Sequence, residues 1–141
     1  MTINYKKAHP LAKEPYQKYP EDACFDVFAV SKKRIGLFTI KYDIGLAFET
    51  PNGYRIDFRS RSSIYKHGLL LSNSIGTIDA PYRGSVSAIF YHLLFWKKPY
   101  QVGDRIGQIH IEKVTPLSFK ETDKLSETER NDGGFGSTGK N

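Results

Sequence analysis

Asp79 is the carboxylate in this sequence that is best placed to do chemistry. It lies in residues 76–84, between an apolar stretch and Pro81. Beside a phosphate group, such a carboxylate can accept a proton from an attacking water, and Tyr82, three residues later, can pack against a sugar. Asp79 can equally be a turn residue that binds its own backbone, and the segment alone favours that simpler interpretation.

A second segment combines guanidinium and hydroxyl groups. Residues 59–63 read Arg-Ser-Arg-Ser-Ser and follow a predicted strand. Arg61 offers a planar pair of donors, and Ser62 and Ser63 offer neutral donors, so the group suits phosphate oxygens. A solvated strand end followed by a helix cap explains the same residues equally well.

The glycine-rich segment at residues 133–140 offers many exposed backbone N–H groups. It matches dinucleotide-binding and P-loop patterns by eye, but both patterns need a following helix, and no helical pattern follows here. Its N–H groups, with Ser137, Thr138 and Arg130, can still surround an anion, and Phe135 offers a flat face for a base. A flexible tail without a function is the alternative.

The elements that position these residues are predicted to be strands. Apolar and polar residues alternate with a period of two in residues 39–48, 54–58, 86–90 and 109–111. The turn sequence Pro-Asn-Gly at 51–53 indicates a hairpin-like connection between the first two strands. Only residues 62–67 look able to form a short helix. The pattern stops after Phe119, which predicts a β domain over 1–119 and a flexible C-terminal arm over 120–141.

Composition narrows the class of protein. The chain has 141 residues, of which 39% are hydrophobic, and carries a formal charge of +6. Its cations are scattered, which favours a small phosphorylated ligand over DNA. The single cysteine, Cys24, excludes an intrachain disulfide and fits a reducing compartment. With no signal-like N-terminus and no apolar run of about 20 residues, we expect a cytoplasmic protein that does not cross a membrane.

Taken in order, these segments resemble the five motifs of the trimeric dUTPases. The resemblance spans nearly the whole chain, and its most specific part is Gly-Gly-Phe-Gly-Ser-Thr-Gly at 133–139. Cys24, Ser60 and Gly107 depart from the residues usual in that family. The matching segments are residues 22–27, residues 61–63 with Gly68, residues 76–84, residues 103–108, and Arg130 with residues 133–140.

The resemblance implies a reaction and roles for particular residues. Asp79 would orient the water that attacks the α-phosphorus of dUTP, releasing dUMP and pyrophosphate. Tyr82 would pack under the deoxyribose, and Asn73 lies where the family reads uracil. Phe135 would close over the base. Further substrate contacts are implied for Arg61, Ser62, Ser63, Gln108, Arg130, Gly136, Ser137 and Thr138.

The resemblance also implies a cofactor and an assembly. Mg²⁺ would bridge the three phosphates, held largely by substrate and water, with Asp26 contributing through a water molecule. The fold would be an all-β, jelly-roll-like β-barrel that forms a homotrimer, in which each site draws on three subunits and the arm of one chain closes a neighbour's site. We expect dUTP as the ligand, and no nucleic-acid or membrane partner.

Three other functions compete with dUTP hydrolysis. A dCTP deaminase-like enzyme shares the fold but needs a glutamate ten residues after the turn aspartate, and position 89 is Ile. A regulatory protein that binds dUTP is not excluded by the sequence. A basic nucleic-acid-binding barrel is disfavoured, because no strand carries an aromatic and basic stripe.

Overall fold

The computed structural model describes residues 1–134. Four predicted substrate contacts, Phe135, Gly136, Ser137 and Thr138, lie outside the described residues. The short helix is a 3-10 helix over Ser62–His67, as the sequence predicts. The strands are β1 (Asn4–Lys7), β2 (Phe25–Phe28), β3 (Ser31–Gly36), β4 (Thr39–Asp43), β5 (Leu46–Glu49), β6 (Tyr54–Arg59), β7 (Leu69–Leu71), β8 (Gly76–Ile78), β9 (Ser87–His92) and β10 (Arg105–Lys113).

The strands of the described part form three antiparallel sheets. One sheet contains β1 and β5, the second has the order β2-β10-β6-β8, and the third has the order β3-β4-β9-β7. The all-β, jelly-roll-like class is therefore confirmed. Within the described residues the sheets are not closed into a barrel, and the jelly-roll-like arrangement still fits them.

The segment 39–48 differs from its prediction because the chain bends in the middle. Gly45 has φ +68°, a conformation that ends the extended run between β4 and β5. A side chain there would also press against His9 and Val30. As a result, β4 pairs with β3 and β9, whereas β5 pairs with β1. The predicted hairpin-like connection to residues 54–58 is also wrong, since β6 pairs with β8 and β10.

The core is built from aromatic side chains that meet edge to face. Phe90 lies 5.7 Å from Tyr42, 6.0 Å from Tyr100 and 6.5 Å from Phe58, measured between ring centroids. The buried hydroxyl of Tyr42 donates a 2.9 Å hydrogen bond to the carbonyl of Tyr100, and burial raises the pKa of this phenol. This packing fixes β4, β6 and β9, the strands that lead into the polar sites described next.

Beyond β10 the described chain forms no further strand or helix up to Gly134. Leu117 and Phe119 are 76% and 95% exposed, so this segment packs little apolar surface on its own domain. The boundary between residues 119 and 120 stays a prediction. Among residues 1–134, no helix is both long and apolar enough to cross a membrane.

Candidate active site

Asp79 lies directly after β8 and lines an open cavity of about 360 Å³. Its side chain is exposed, and within residues 1–134 no group donates a hydrogen bond to its carboxylate or forms an ion pair with it. A carboxylate without a protein partner is free to hold and orient a water molecule. The other residues that line the cavity are Lys41, Asp43, Thr77, Ile78, Tyr82, Ser85, Val86 and Ser87.

Tyr82 lies in this cavity in a fixed orientation. Its N–H donates a 3.0 Å hydrogen bond to the carbonyl of Asp79, and its hydroxyl donates a 3.2 Å hydrogen bond to the carbonyl of Ser85. A Cβ atom at position 84 would overlap the Tyr82 ring, so Gly84 allows the ring to lie against the backbone. The ring remains 48% exposed, which leaves a flat face available to a ligand.

Asp43 is a cavity residue that the sequence interpretation missed. Its Oδ1 accepts hydrogen bonds from the Ser85 hydroxyl and the Gly45 N–H, both at 2.6 Å, and its Oδ2 accepts one from the Ser87 hydroxyl at 2.7 Å. Asp43 therefore joins β4 to β9 and holds Ser85, the residue whose carbonyl binds Tyr82. The available signal was a carboxylate in an alternating strand, but its two serine partners are more than forty residues away.

Asp26, by contrast, is surrounded by donors. It is 8% exposed, and its Oδ2 lies 2.9 Å from Nη1 of Arg105. Its Oδ1 accepts a 3.1 Å hydrogen bond from Nε2 of Gln108 and lies 3.2 Å from Nε of Arg61, an ion pair without hydrogen-bond geometry. The structure thus brings together three of the predicted site residues, Asp26, Arg61 and Gln108, and adds Arg105 to them.

The remaining predicted residues are more dispersed. Arg61 precedes the 3-10 helix that Ser62 and Ser63 begin, and no side chain caps that helix. Asn73 is exposed in the turn between β7 and β8. Arg130 is exposed in the segment after β10, where its Nε donates a 2.9 Å hydrogen bond to the carbonyl of Gly133.

Asp26, Arg61, Arg105 and Gln108 form a group that we call the Asp26 cluster. Within one chain, Asp79 lies far from this cluster. In the pairing of β6 with β8, Ile56 lies opposite Ile78 and Phe58 lies opposite Gly76. Asp79 therefore follows the end of β8 that lies beside the start of β6, whereas Arg61 follows the far end of β6. The two positions are separated by roughly 20 Å of extended chain.

A third polar group lies on the sheet that contains β6 and β10. Potential ligand atoms of Asp57, His110 and Glu112 lie within 4.8 Å of one another. However, Nε of Arg55 donates a 2.9 Å hydrogen bond to Asp57, and Nη2 of Arg59 lies 3.6 Å from it. Two guanidiniums and an imidazole are poor surroundings for Mg²⁺, which prefers oxygen ligands. We interpret this group as an ion-pair network.

Asp57 is held in its charged form by that network. Burial by itself would raise the pKa of Asp57, but the hydrogen bond and charge of Arg55, with the charges of His110 and Arg59, bring the pKa below its ordinary value. His110 in turn contacts Glu112 at 2.8 Å through Nε2. These contacts join β6 to β10; Gln108 lies on β10, and Arg61 follows β6.

Comparisons with known proteins bear on the family and the fold of this chain. The model of the dUTPase family matches residues 11–139. The deoxyuridine 5'-triphosphate nucleotidohydrolase of Helicobacter pylori strain P12 is 36% identical over 141 residues, covering 99% of this chain and 97% of its own length. That of Wolinella succinogenes is 37% identical over 142 residues, covering 99% and 95%.

A solved structure shares the fold. The dUTPase of Staphylococcus bacteriophage 80alpha, solved with dUpNHpp, superposes with a TM-score of 0.83 at 23% identity, and the match covers 98% of each chain. The family match extends over most of the sequence, and the bacterial relatives align along nearly their entire length. The chain therefore belongs to the dUTPase family.

Proposed function

We propose that this protein hydrolyses dUTP to dUMP and pyrophosphate. The observation that carries the proposal is Asp79, an exposed carboxylate that shares a cavity with the ring of Tyr82. The relatives named deoxyuridine 5'-triphosphate nucleotidohydrolases support the choice of substrate.

In this proposal Asp79 orients a water molecule and accepts a proton from it as the water attacks the α-phosphorus. A bond forms between the water oxygen and the α-phosphorus, while the bond from that phosphorus to the bridging oxygen of the β-phosphate breaks. Pyrophosphate leaves with the bridging oxygen. Tyr82 packs against the deoxyribose, where its fixed ring leaves little room for a 2′-hydroxyl.

The Asp26 cluster supplies the cationic donors of the proposed site. Arg61 and Gln108 bind phosphate oxygens together with the hydroxyls of Ser62 and Ser63, and charge that develops on those oxygens is stabilised by donors already in place. The contacts of Asp26 with Arg61 and Gln108 support a positioning role for this carboxylate. Further proposed contacts are Asn73 with uracil, Arg130 with the γ-phosphate, and Phe135, Gly136, Ser137 and Thr138 in the closing arm.

Mg²⁺ is the proposed cofactor, and it would neutralise charge on the phosphates. Mg²⁺ keeps several waters and is commonly held by substrate phosphates with one or two carboxylates, so a site without a protein cage fits it. Asp26 remains the proposed indirect ligand, through water. A variant of the dUTPase from phage phi11 of S. aureus, with a TM-score of 0.74 and 19% identity over 89% of this chain and 99% of its own, is described as coordinating a structural Mg(II) ion.

We further propose a homotrimer in which neighbouring chains share each site. The separation of Asp79 from Arg61 within one chain supports this arrangement, because a complete site then needs Asp79 from one protomer and the Asp26 cluster from another. Residues 1–119 would form the β domain, and residues 120–141 would form the arm that closes a neighbour's site. The single cysteine, Cys24, suits the cytoplasm.

Pyrophosphate release tests the proposed function. Purified protein is incubated with Mg²⁺ and dUTP, dCTP, dTTP or UTP, and release is expected from dUTP far above the others. Equal rates on all four would contradict recognition of uracil and deoxyribose. Tight binding of dUTP without release would instead support a dUTP-binding regulatory protein, and ammonia release from dCTP would support a deaminase.

A further inference from the structure

Two adjacent turns carry a cluster of exposed apolar side chains, which we call the turn patch: Leu37, Phe38, Leu93, Phe95 and Trp96. Leu37 is 80% exposed, Trp96 71% and Phe95 68%. The N–H of His92 donates a 2.7 Å hydrogen bond to the carbonyl of Phe38, which joins the β3–β4 turn to the segment after β9. The rings of Phe38 and Phe95 lie 6.4 Å apart, and those of Phe95 and Trp96 lie 5.5 Å apart.

Cations surround the turn patch. Nη1 of Arg34 donates a 2.7 Å hydrogen bond to the carbonyl of Leu37, and Nζ of Lys97 donates a 3.1 Å hydrogen bond to the carbonyl of Tyr65. Residues 31–42, 62–68 and 91–98, which form this end of the domain, contain no acidic residue. The cations of these segments are Lys32, Lys33, Arg34, Lys66, Lys97 and Lys98, together with Lys41, which lines the Asp79 cavity.

The turn patch is separate from the proposed active site. Phe38 directly precedes β4, whereas Asp43, which lines the Asp79 cavity, ends that strand. About 13 Å of extended chain lies between Thr39 and Asp43. An exposed apolar cluster of this kind is typical of an interaction surface, and the active site gives no reason for it.

The side chains of the turn patch favour one class of binding partner over the others. Leu37 and Leu93 cannot stack on bases, which disfavours single-stranded nucleic acid. Two copies of the turn patch facing each other would bring cations against cations, which disfavours a contact between two turn patches. The patch lies on two turns instead of in a groove of the kind that binds an extended or helical peptide. Protruding aromatic and leucine side chains within a ring of lysine and arginine are suited to a membrane interface that carries anionic lipid.

We propose that the turn patch docks this protein reversibly on an anionic bilayer. Phe95, Trp96 and Leu37 enter the headgroup region, and the surrounding cations contact lipid phosphates. This attachment is peripheral and needs no membrane-spanning segment, and it replaces the expectation from the sequence that the protein has no membrane partner.

Trp96 is a built-in probe, because it is the only tryptophan in the chain. Fluorescence is recorded while the full-length protein is titrated with vesicles of phosphatidylcholine alone or of phosphatidylcholine and phosphatidylglycerol at three to one. With the anionic vesicles, the emission is expected to move to shorter wavelength, and co-sedimentation is expected to show affinity at least about tenfold higher than with the neutral ones. Equal behaviour with both vesicles, or no shift, would overturn the proposal.

Matched variants locate the contact. Leu37→Ser with Phe95→Ser should lower affinity for the anionic vesicles at least about tenfold, because two of the inserting side chains are lost. Phe119→Ser, which removes an even more exposed apolar side chain elsewhere, should leave binding unchanged. Lys33→Glu with Lys98→Glu, which leaves the apolar residues intact, should also weaken binding.

The mass of the assembly and the rate of pyrophosphate release distinguish membrane docking from other roles of the turn patch. Both double variants should keep the mass of the assembly and the rate of pyrophosphate release from dUTP, since neither touches the proposed active site. A change in mass would show that the turn patch is a subunit interface, and an oligonucleotide that competes with the vesicles would favour a nucleic acid. Either result would overturn the proposal.

Discussion

Asp26 and Asp79 are carboxylates of the same chain with opposite surroundings. Asp26 is almost fully buried and meets Arg61, Arg105 and Gln108, whereas Asp79 is exposed and has no side-chain partner within residues 1–134. A carboxylate whose oxygens are occupied by guanidinium and amide donors holds those donors in place. One without partners can bind and activate water. The contrast separates a positioning residue from a proposed catalytic one.

The largest expected effect is that of Asp79→Asn on turnover. The amide cannot accept a proton, so kcat for dUTP should fall by about a thousandfold while dUTP binding is retained. Initial rates of pyrophosphate release and equilibrium binding of dUTP measure the two quantities. Glu21→Gln, at an exposed position before β2, serves as a control and should have no effect. Unchanged turnover in Asp79→Asn would remove Asp79 from its proposed role.

Asp26→Ala should act mainly on stability. Removing this carboxylate leaves Arg61 and Arg105 without their partner, and the free energy of unfolding should fall by about 3 kcal/mol. In the fraction that folds, KM for dUTP should rise more than kcat falls, because Arg61 and Gln108 lose their fixed positions. Urea denaturation and steady-state kinetics measure both effects. If Asp26→Ala kept full stability but lost turnover, Asp26 would have the catalytic role that we propose for Asp79.

Some of the strands and the short helix could be predicted from the sequence, because their patterns depend on neighbouring residues. Alternation indicated β6, β9 and β10, and residues 62–67 were correctly expected to be helical. The break at Gly45 was missed, since a positive φ leaves the alternation of side chains on either side intact. Sheet order was missed as well, because pairing joins segments far apart in the chain.

The sequence indicated the motifs of the candidate site. It did not indicate that these residues form two separate groups within one chain, one around Asp79 and one around Asp26. Arg105 and Asp26 are 79 residues apart, and no local pattern indicates that they pair. The unusual Gly107 also has a long-range explanation, because a Cβ there would overlap the ring of Phe58. Asp26, Arg61 and Gln108 were named individually from the sequence, and the structure brings them together and adds Arg105.

Asp43→Ala should weaken the selection of dUTP over UTP, through the Asp79 side of the proposed site. The Ser85 hydroxyl loses its acceptor, and the Tyr82 ring loses part of its support. A lost hydrogen bond of about 1 kcal/mol corresponds to roughly fivefold weaker selection of dUTP over UTP in kcat/KM. Ser87→Ala is a matched control, because Ser87 binds the other oxygen of Asp43 and does not contact Tyr82. Equal effects of the two variants would show that Asp43 only joins β4 to β9.

The smallest effect concerns Asp57, on the same sheet as Asp26. Its pKa is lower in the folded chain than in the unfolded chain, so it stabilises the fold above the unfolded pKa of about 3.9. This contribution is lost as the pH falls through the folded pKa. The free energy of unfolding should therefore decline more steeply below about pH 4 for the unmodified protein than for Asp57→Asn. Parallel declines would show that the network around Arg55 does not stabilise the charged form.

Mixing two inactive variants tests the central claim, that Asp79 and the Asp26 cluster of one site come from different protomers. Asp79→Asn and Arg61→Ala chains are co-expressed, and pyrophosphate release from dUTP is compared with that of each variant alone. If equal amounts of the two chains assort at random, about a quarter of all sites in the population should combine an intact Asp79 with an intact Arg61, and activity should return to that extent. Activity no higher than that of the separate variants would contradict the shared site.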